Sequence, residues 1–98
     1  MEIIREVLKK YKNIALVGAS KDLTKTSSVV MKYLQDYGFK VYPVNPSMKG
    51  ESILGEKVFG NIKEIDGPIE IVDVFRPSNE AAEIAKDAIK VKAKVLWL

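Results

Sequence analysis

The stretch Asn13–Ser20, which reads NIALVGAS, decides the fold of this chain. Its short, continuously apolar run after the asparagine is typical of a strand that is buried on both faces of a parallel sheet. The strand stops at Gly18, a polar loop follows, and a helix is predicted to begin near Ser27. A strand, a tight turn and a helix N-terminus in this order bring free backbone N–H groups and the positive end of a helix dipole together. We therefore predict an anion site, suited to a phosphate, after this strand.

Helical and strand patterns alternate outward from this stretch. Apolar residues at helical spacing predict helices over residues 2–11, from about Ser27 to Tyr37, and from Ser78 onward, the two serines acting as caps. Strands are predicted over residues 39–42, 57–59, 69–75 and 95–98, with one helical turn over 61–65. Parallel strands joined by right-handed crossovers are the simplest arrangement of this order. The predicted fold class is α/β, a doubly wound parallel sheet in three layers, α/β/α.

Composition excludes several classes of function. The 98 residues suffice for one small domain, and 47% hydrophobic with 30% charged residues is typical of a packed globular chain. Cysteine and histidine do not occur, which excludes disulfides, thiolate chemistry, zinc sites built on these residues and a Ser–His–Asp triad. A formal charge of +3 with dispersed lysines favours a small anionic ligand over nucleic acid. The sequence contains neither a membrane-spanning apolar run nor a secretion signal, so we expect a cytoplasmic protein.

The turn after the first strand lacks the common nucleotide-binding fingerprints. A G-x-G-x-x-G motif that starts at Gly18 would need glycine at positions 20 and 23, which hold Ser20 and Leu23. A P-loop would need glycine at 23 followed by lysine and a hydroxyl residue, and the sequence there does not match. A nucleophile elbow would need glycine in place of Asp22 and a histidine to activate the serine. The turn remains a candidate for backbone contacts to a ligand, with a purely structural turn as the alternative.

Further candidate contacts lie at the same edge of the sheet, where ligands of open parallel sheets bind. Val44–Pro46 stands where NAD-binding proteins have an acidic residue, which disfavours NAD. It offers a rigid, mostly apolar surface that could flank an adenine or leave room for a phosphate on the ribose, with a purely structural turn as the alternative. After a later strand, Arg76 could meet a phosphate and Phe75 could pack on an adenine. The alternative is a core position for the phenylalanine and an ion pair of the arginine with Asp22 or Glu80. Lysines and a serine near the first turn would complement a pyrophosphate, unless they only form a solvated loop. The candidate site residues are Gly18, Ala19, Ser20, Lys21, Lys25, Ser27, Val44, Asn45, Pro46, Phe75 and Arg76.

Two features late in the chain call for an interpretation without a ligand. Asp73 lies in an apolar strand, and no histidine or second acid accompanies it, so we expect it to accept backbone hydrogen bonds rather than to catalyse a reaction. The final strand, residues 95–98, has no helix after it to cover its face. We therefore expect residues 1–98 to be a single domain that lacks its C-terminal part, with coverage by another chain as the alternative.

These motifs resemble the small stand-alone CoA-binding domain proteins, which are related to the nucleotide-binding domain at the start of the succinyl-CoA synthetase α subunit. The resemblance rests on five segments in the family's order and spacing: residues 17–20 (VGAS), 42–46 (YPVNP), 54–55 (LG), 72–76 (VDVFR) and 93–98 (AKVLWL). It implies a Rossmann-like fold that binds coenzyme A through its ADP portion. It carries ligand contacts onto Gly18, Ala19, Ser20, Ser27, Val44, Asn45, Pro46, Phe75 and Arg76.

The resemblance also has limits. The family usually has glycine where this chain has Lys92, which predicts a strained or reshaped turn, and its members continue beyond the tryptophan-containing strand. In the related synthetases a phosphorylated histidine in another domain performs the chemistry. We therefore predict a non-enzymatic domain that binds coenzyme A or acyl-CoA as a ligand, with neither nucleic acid nor membrane as partner. Two alternatives stay open: a nucleotide-binding subunit or fragment of a CoA ligase or NAD(P)-dependent oxidoreductase, and an interaction module that forms a homodimer through its final strand.

Overall fold

The computed structural model describes residues 10–97. Most of the helix predicted over residues 2–11, and Leu98 of the predicted final strand, lie outside the described residues. Within this range the elements follow in the order β1 (Asn13–Val17), α1 (Thr26–Asp36), β2 (Lys40–Val44), β3 (Ser52–Ile53), β4 (Glu56–Lys57), β5 (Ile71–Val74), α2 (Ala81–Lys90) and β6 (Val95–Trp97). Short 3-10 turns occupy Pro46–Met48, Ile62–Glu64 and Ser78–Glu80.

The main sheet is parallel, with its strands in the order β2-β1-β5-β6. The chain leaves the central strand β1 in one direction to form β2, and later returns to the other side of β1 as β5. In register, Val17 lies opposite both Val44 and Val74, so the carboxyl ends of these three strands stand level. The point where the strand order reverses lies between them, which is where open α/β sheets form a ligand crevice.

Strand β1 belongs to two separate cores. Ile14 and Leu16 pack on the face that carries α1, whose Met31 is also fully buried. Ala15 and Val17 pack on the opposite face with residues of β5 and with Ala88 of α2. Successive side chains of a strand point to opposite faces, so a strand that is apolar at every position needs a helix on each side. The predicted three-layer α/β/α fold, doubly wound and Rossmann-like, is confirmed.

The outer edge of β2 is partly closed by the segment that follows it. Strands β3 and β4 pair as an antiparallel hairpin whose turn residues, Leu54 and Gly55, have φ values of 49° and 82°. After the hairpin, the Phe59 amide donates to the Pro43 carbonyl at 3.0 Å, and the Asn45 amide donates to the Phe59 carbonyl at 2.8 Å. Proline fits this strand because its nitrogen faces the edge and not β1. The predicted strand over residues 39–42 therefore continues through the proline.

Both predicted serine caps are wrong. The residue that precedes α1 is Lys25, with extended backbone and no side-chain hydrogen bond to the helix, and Ser27 lies within the helix. Ser78 begins a 3-10 turn, and α2 starts at Ala81 without a side-chain cap. The serines are close to the helix starts in sequence, but the position of a cap depends on where the backbone leaves its extended conformation.

The turns after the two helices differ in one residue type. Gly38 follows α1 with φ of +90°, a conformation that suits glycine. Lys92 follows α2 with φ of +61°, where a side chain is unfavourable. The strained turn predicted from the absence of glycine is confirmed. Within residues 10–97, no helix has the length and apolar character needed to cross a membrane.

Candidate functional site

The crevice at the carboxyl edge of the sheet holds two adjoining cavities. The larger has a volume of about 370 Å³ and lies between the ends of β1 and β2 and helix α2. The smaller, about 280 Å³, lies over the N-terminus of α1. Gly18, Asn45 and Arg76 line both cavities, so the two spaces meet where β1, β2 and β5 end.

The larger cavity has apolar side walls. Val17 and Val44 contribute from the sheet, Ile62 from a 3-10 turn and Ile84 from α2. Pro46 adds a rigid ring at the end of β2. A planar base or an aliphatic group could be buried between such walls because no charged group among these residues would be desolvated.

The smaller cavity is polar. Its walls include Ser20, Lys25, Thr26 and Ser27, the last of which is only 5% exposed. The amides of the first helical turn have no acceptor within a helix, and they lie at the positive end of the helix dipole. A lysine beside such a helix end gives a positive potential, so this cavity suits an anion.

Position 18 requires glycine because of the packing around it, whether or not a ligand binds there. Gly18 has φ of +94°, and a Cβ atom there would lie 2.5 Å from the Phe75 carbonyl oxygen and 3.0 Å from Arg76 Cδ. The amides of Gly18 and Ala19 both donate to the Val44 carbonyl, at 2.9 and 3.2 Å. These two N–H groups are therefore already bonded within the protein, and the amides of the first turn of α1 are the better placed donors for an anion.

Asn45 joins the loop after β2 to the loop after β1. Its Nδ2 donates to the Ala19 carbonyl at 2.8 Å, and its Oδ1 accepts from the amide and hydroxyl of Ser47 at 3.0 and 2.8 Å. The asparagine at the place of the usual NAD-binding acid is thus a structural residue whose amide is already hydrogen-bonded. It leaves the rigid surface of Pro46 to face the larger cavity.

The loop between β1 and α1 is held by side-chain hydrogen bonds. Ser20 Oγ accepts from the Asp22 amide at 3.0 Å, and the Asp22 carboxylate accepts from the amide and hydroxyl of Thr24 at 3.0 and 2.6 Å. Those bonds lower the pKa of Asp22. Ser28, which is 3% exposed, donates to the Ser20 carbonyl at 2.8 Å. Sequence reasoning missed Ser28, because two adjacent serines give no sign of which one turns toward the loop.

Arg76 forms a two-pronged ion pair with Glu80. Its Nε donates to Oε1 at 3.1 Å and its Nη2 to Oε2 at 2.7 Å. These hydrogen bonds hold the pKa of Glu80 below its usual value and raise that of Arg76. The pair stands at the boundary of the two cavities, since Arg76 lines both and Glu80 lines the larger. The ion pair given as the alternative for Arg76 is present, and a bound anion would have to share or displace it.

Ten of the eleven predicted site residues line the two cavities, and Lys21 does not. The ammonium group of Lys21 lies 2.6 Å from a carboxylate oxygen of Glu51, in an exposed ion pair. Lys25 is the lysine that reaches the anion cavity. Position in the loop could not distinguish the two lysines, because the acidic partner lies 30 residues away in sequence.

The far side of the larger cavity was not predicted. It is formed by residues that follow Phe59 and by helix α2, including Gly60, Asn61, Ile84 and Asp87. Ile84 and Asp87 are three residues apart and therefore lie on one stripe of α2, and Glu80, which directly precedes the helix, lines the same cavity. Helical periodicity indicated an apolar stripe on this helix, but it could not show which stripe faces the cavity and which faces the core.

Asp73 lies outside both cavities. It stands in register with Leu16 and Trp97, on the α1 face of the sheet. Burial raises the pKa of Asp73 to about 6. Among residues 10–97 no backbone N–H donates to its carboxylate, so the hydrogen bonds expected from the adjoining backbone are not formed. Within residues 10–97, no group of three or more acidic side chains could hold a metal ion.

Two relatives share this chain's sequence or fold over about two thirds of their own length. The uncharacterized protein YneT of Bacillus subtilis is 43% identical over 94 residues, which are 96% of this chain and 68% of YneT. The solved structure of a hypothetical protein from Pyrococcus horikoshii matches with a TM-score of 0.93 at 44% identity, over 99% of this chain and 67% of that protein.

Larger CoA-dependent enzymes contain a similar region. The ADP-forming acetate–CoA ligase of Methanocaldococcus jannaschii is 29% identical over 83 residues, 85% of this chain but 12% of the ligase. The solved acetyl-coenzyme A synthetase 1 of Korarchaeum cryptofilum, in complex with phosphate and ADP, matches with a TM-score of 0.77 at 30% identity, over 87% of this chain and 18% of that enzyme. The family model described as the CoA binding domain matches residues 12–98. This chain therefore belongs to the CoA-binding domain family and is homologous to the CoA-binding region of ADP-forming acetyl-CoA synthetases.

Proposed function

We propose that this protein binds coenzyme A, or an acyl-CoA, through the ADP portion and without catalysing a reaction of its own. The observation that carries the proposal is the meeting of two unlike cavities at Gly18, Asn45 and Arg76. One cavity has apolar walls and the other lies at a helix N-terminus beside a lysine. A nucleoside joined to its phosphates has the same division into an apolar, planar part and an anionic part.

The phosphate end of the ligand would lie in the smaller cavity. The amides of Thr26 and Ser27 belong to the first turn of α1, where anions are stabilised by the helix dipole by about 0.3–1 kcal/mol per charge. Lys25 and Arg76 line the same space and bring two cationic groups. Arg76 can exchange its bonds to Glu80 for equivalent bonds to a phosphate, because the guanidinium fork fits both groups.

The nucleoside end would lie in the larger cavity. Its volume of about 370 Å³ is within the usual range for small-molecule sites, which is roughly 300–1,000 Å³. The end of β2 offers Val44 and Pro46 and no carboxylate to the ribose, which supports coenzyme A over NAD. The residues around both cavities supply charge and hydrogen bonds, and the buried acid Asp73 lies elsewhere, which supports binding without chemistry.

Homology supports a second candidate, a nucleotide-binding component of a CoA ligase. The region matched in the ligase of Methanocaldococcus jannaschii is a small part of that enzyme. In this case a second polypeptide would supply the groups that react, since this chain has no histidine. Co-purification of the tagged protein with a histidine-bearing subunit, together with CoA-ligase activity of the complex, would favour this candidate.

Isothermal titration calorimetry with coenzyme A, acetyl-CoA, ADP and NAD tests the first proposal. We expect binding of the two CoA species and of ADP, and weaker binding of NAD. Replacement of Arg76 by alanine should lower the affinity for coenzyme A by about 10-fold or more, because a charge-assisted hydrogen bond is lost. Lys21→Ala is the matched control, since its ammonium group already pairs with Glu51 outside both cavities. Failure of the folded protein to bind coenzyme A at millimolar concentration would contradict the proposal.

The ion pair at the cavity boundary gives a second test. In Glu80→Gln the guanidinium of Arg76 loses its charged partner, so it becomes available to the ligand. We expect the affinity for coenzyme A to rise by about 2- to 5-fold, the range that corresponds to an exposed ion pair. Glu83→Gln removes the same charge from a 78% exposed side chain on α2 and should have no comparable effect. Equal gains in both variants would show a general charge effect in place of a released arginine.

A further inference from the structure

Asn61 and Asp87 form a polar patch in the wall of the larger cavity. Asn61 Nδ2 lies 3.3 Å from Asp87 Oδ2, and the second carboxylate oxygen lies 3.5 Å from the Lys63 ammonium group. The Asp87 side chain is only 19% exposed. A partly buried carboxylate in a cavity wall, next to the apolar side chains of Ile62 and Ile84, is costly unless it is paired, so its role calls for an explanation.

The hydrogen-bonding capacity of this patch is defined by its neighbours. Asn61 Oδ1 accepts from the Lys63 amide at 2.9 Å, so the amino group of the asparagine is the part directed toward Asp87. An amide nitrogen carries two hydrogens, and a carboxylate accepts several hydrogen bonds. The patch can therefore offer a ligand one acceptor, from Asp87, next to one donor, from Asn61.

The patch lies at the right distance from the phosphate end. Glu80, which pairs with Arg76 at the boundary of the cavities, directly precedes α2, and Asp87 lies seven residues further along the chain in that helix. At a rise of about 1.5 Å per residue, this separation is roughly 10 Å along the helix axis. Such a length is comparable with the span of a nucleoside from its 5′-oxygen to the substituent on the far edge of its base.

We propose that Asp87 and Asn61 select adenine as the base of the bound nucleotide. Asp87 accepts a hydrogen bond from the 6-amino group of adenine, and Asn61 donates one to ring nitrogen N1. Val44 and Ile84 enclose the faces of the base. This inference rests on the proposed function and deepens it, since it names the residues that distinguish an adenine nucleotide from other purine nucleotides.

Hypoxanthine and guanine mismatch this arrangement. Both carry an oxygen at position 6 and a hydrogen on N1, so in the same position the oxygen would face the carboxylate of Asp87 and the N1 hydrogen would face the amino group of Asn61. Two acceptors would then oppose each other, and so would two donors. A site built to hydrogen-bond a ligand rejects an analogue that leaves its buried polar groups unpaired.

The experiment compares ADP with inosine 5′-diphosphate, which differ only at the edge that the patch would contact. Dissociation constants are measured by calorimetry for the wild type, Asp87→Asn and Glu83→Gln. We expect the wild type to prefer ADP by about 10-fold or more, in line with a hydrogen bond to a charged group. Asp87→Asn should reduce the preference to about 3-fold or less, because an amide can also donate to an oxygen at position 6. The control Glu83→Gln, one turn earlier on α2, should keep the wild-type preference.

A ligand analogue tests the same idea without any variant. The 5′-diphosphate of purine riboside, which lacks the 6-amino group, should bind the wild type about 10-fold more weakly than ADP. Equal binding of this analogue and ADP, or an unchanged ADP preference in Asp87→Asn, would overturn the inference and leave CoA binding intact. A wild-type protein that binds neither coenzyme A nor ADP would overturn the proposed function and this inference with it.

Discussion

The two strand–helix–strand halves of the sheet, β1–α1–β2 and β5–α2–β6, differ in how much they bury. Within the described residues, strand β1 is almost wholly inaccessible, whereas all three residues of β6 are partly exposed. Helix α2 buries Ala88 and leaves Ile89 76% exposed, and helix α1 buries four residues: Ser27, Ser28, Met31 and Leu34. The first half supplies the fixed loops, the helix N-terminus and Lys25 to the candidate site, and the second supplies Arg76 and the acidic side chains that line the cavities.

The largest expected difference between the halves concerns core packing. Met31→Ala removes a fully buried side chain from α1 and should lower the free energy of unfolding by about 2–5 kcal/mol, since a cavity is left. Ile89→Ala shortens an exposed side chain of α2 and should change the free energy of unfolding by less than about 0.5 kcal/mol. Urea denaturation followed by circular dichroism measures both values. Equal losses would show that the two helices stabilise the fold alike, contrary to the comparison.

The contact between the halves gives the next effect. Gly18→Ala places a methyl group against the backbone of Phe75 and adds a side chain at positive φ, so we expect a loss of about 2–3 kcal/mol. Gly38→Ala has the same backbone strain but no atom within 4 Å of the new Cβ, and it should lose only about 1 kcal/mol. Thermal unfolding of both variants separates the clash from the strain, and similar losses would mean that Phe75 moves away easily.

The third effect depends on pH. At the same level of the sheet the first half has Leu16 and the second has Asp73, whose pKa of about 6 lies above its ordinary 3.8. The carboxyl group of Asp73 therefore binds its proton more tightly in the folded state than in the unfolded state. Its charged form destabilises the folded state fully above pH 6, and this destabilisation is absent below pH 3.8. Asp73→Asn should be more stable than the wild type by about 1 kcal/mol at pH 7. This is less than the full pKa shift corresponds to, because the carboxylate is partly accessible to solvent, which screens its charge.

This advantage should shrink as the pH falls from 7 to 4, because the wild-type carboxyl becomes neutral in the folded state first. Denaturation of both proteins at several pH values measures the difference and removes the contribution of the other carboxylates, which both share. A difference that stays constant across this range would contradict a desolvated Asp73.

The smallest effect concerns the turns that end the helices. Lys92→Gly should raise the free energy of unfolding by about 1 kcal/mol, because the left-handed conformation is unfavourable for lysine and open to glycine. The control is Lys90→Gly, since Lys90 is the last residue of α2. This variant should lower the free energy of unfolding by about 0.5–1 kcal/mol, because glycine is unfavourable within a helix. Opposite signs would support the strained turn, whereas a loss in both variants would contradict it.

Much of the architecture could be predicted from the sequence because it follows from local patterns. The apolar run at Asn13–Val17 required a buried parallel strand, and the alternation of helices and strands required helices on both faces. The edge of the sheet that carries the site also followed, since Gly18, Asn45 and Phe75 each end a parallel strand. Ten of the candidate residues therefore line the cavities.

The remaining features depend on partners that are distant in sequence. Lys21 is drawn out of the site by Glu51, and the amide of Gly18 is occupied by the Val44 carbonyl. The side of the larger cavity that carries Asp87 exists because the chain after Phe59 packs near α2, which no local pattern indicates. Ser27 likewise does not cap α1, because the backbone becomes helical at Thr26, one residue before it.

The proline in β2 has a consequence for how copies of this protein meet. An open strand edge invites a second chain to add itself and can begin a fibrous aggregate. At this edge Pro43 has no hydrogen to donate, and its carbonyl together with the Asn45 amide is already bonded to Phe59. The missing N–H of the proline and these two hydrogen bonds therefore discourage a second chain from pairing with β2, and neither depends on side-chain charge.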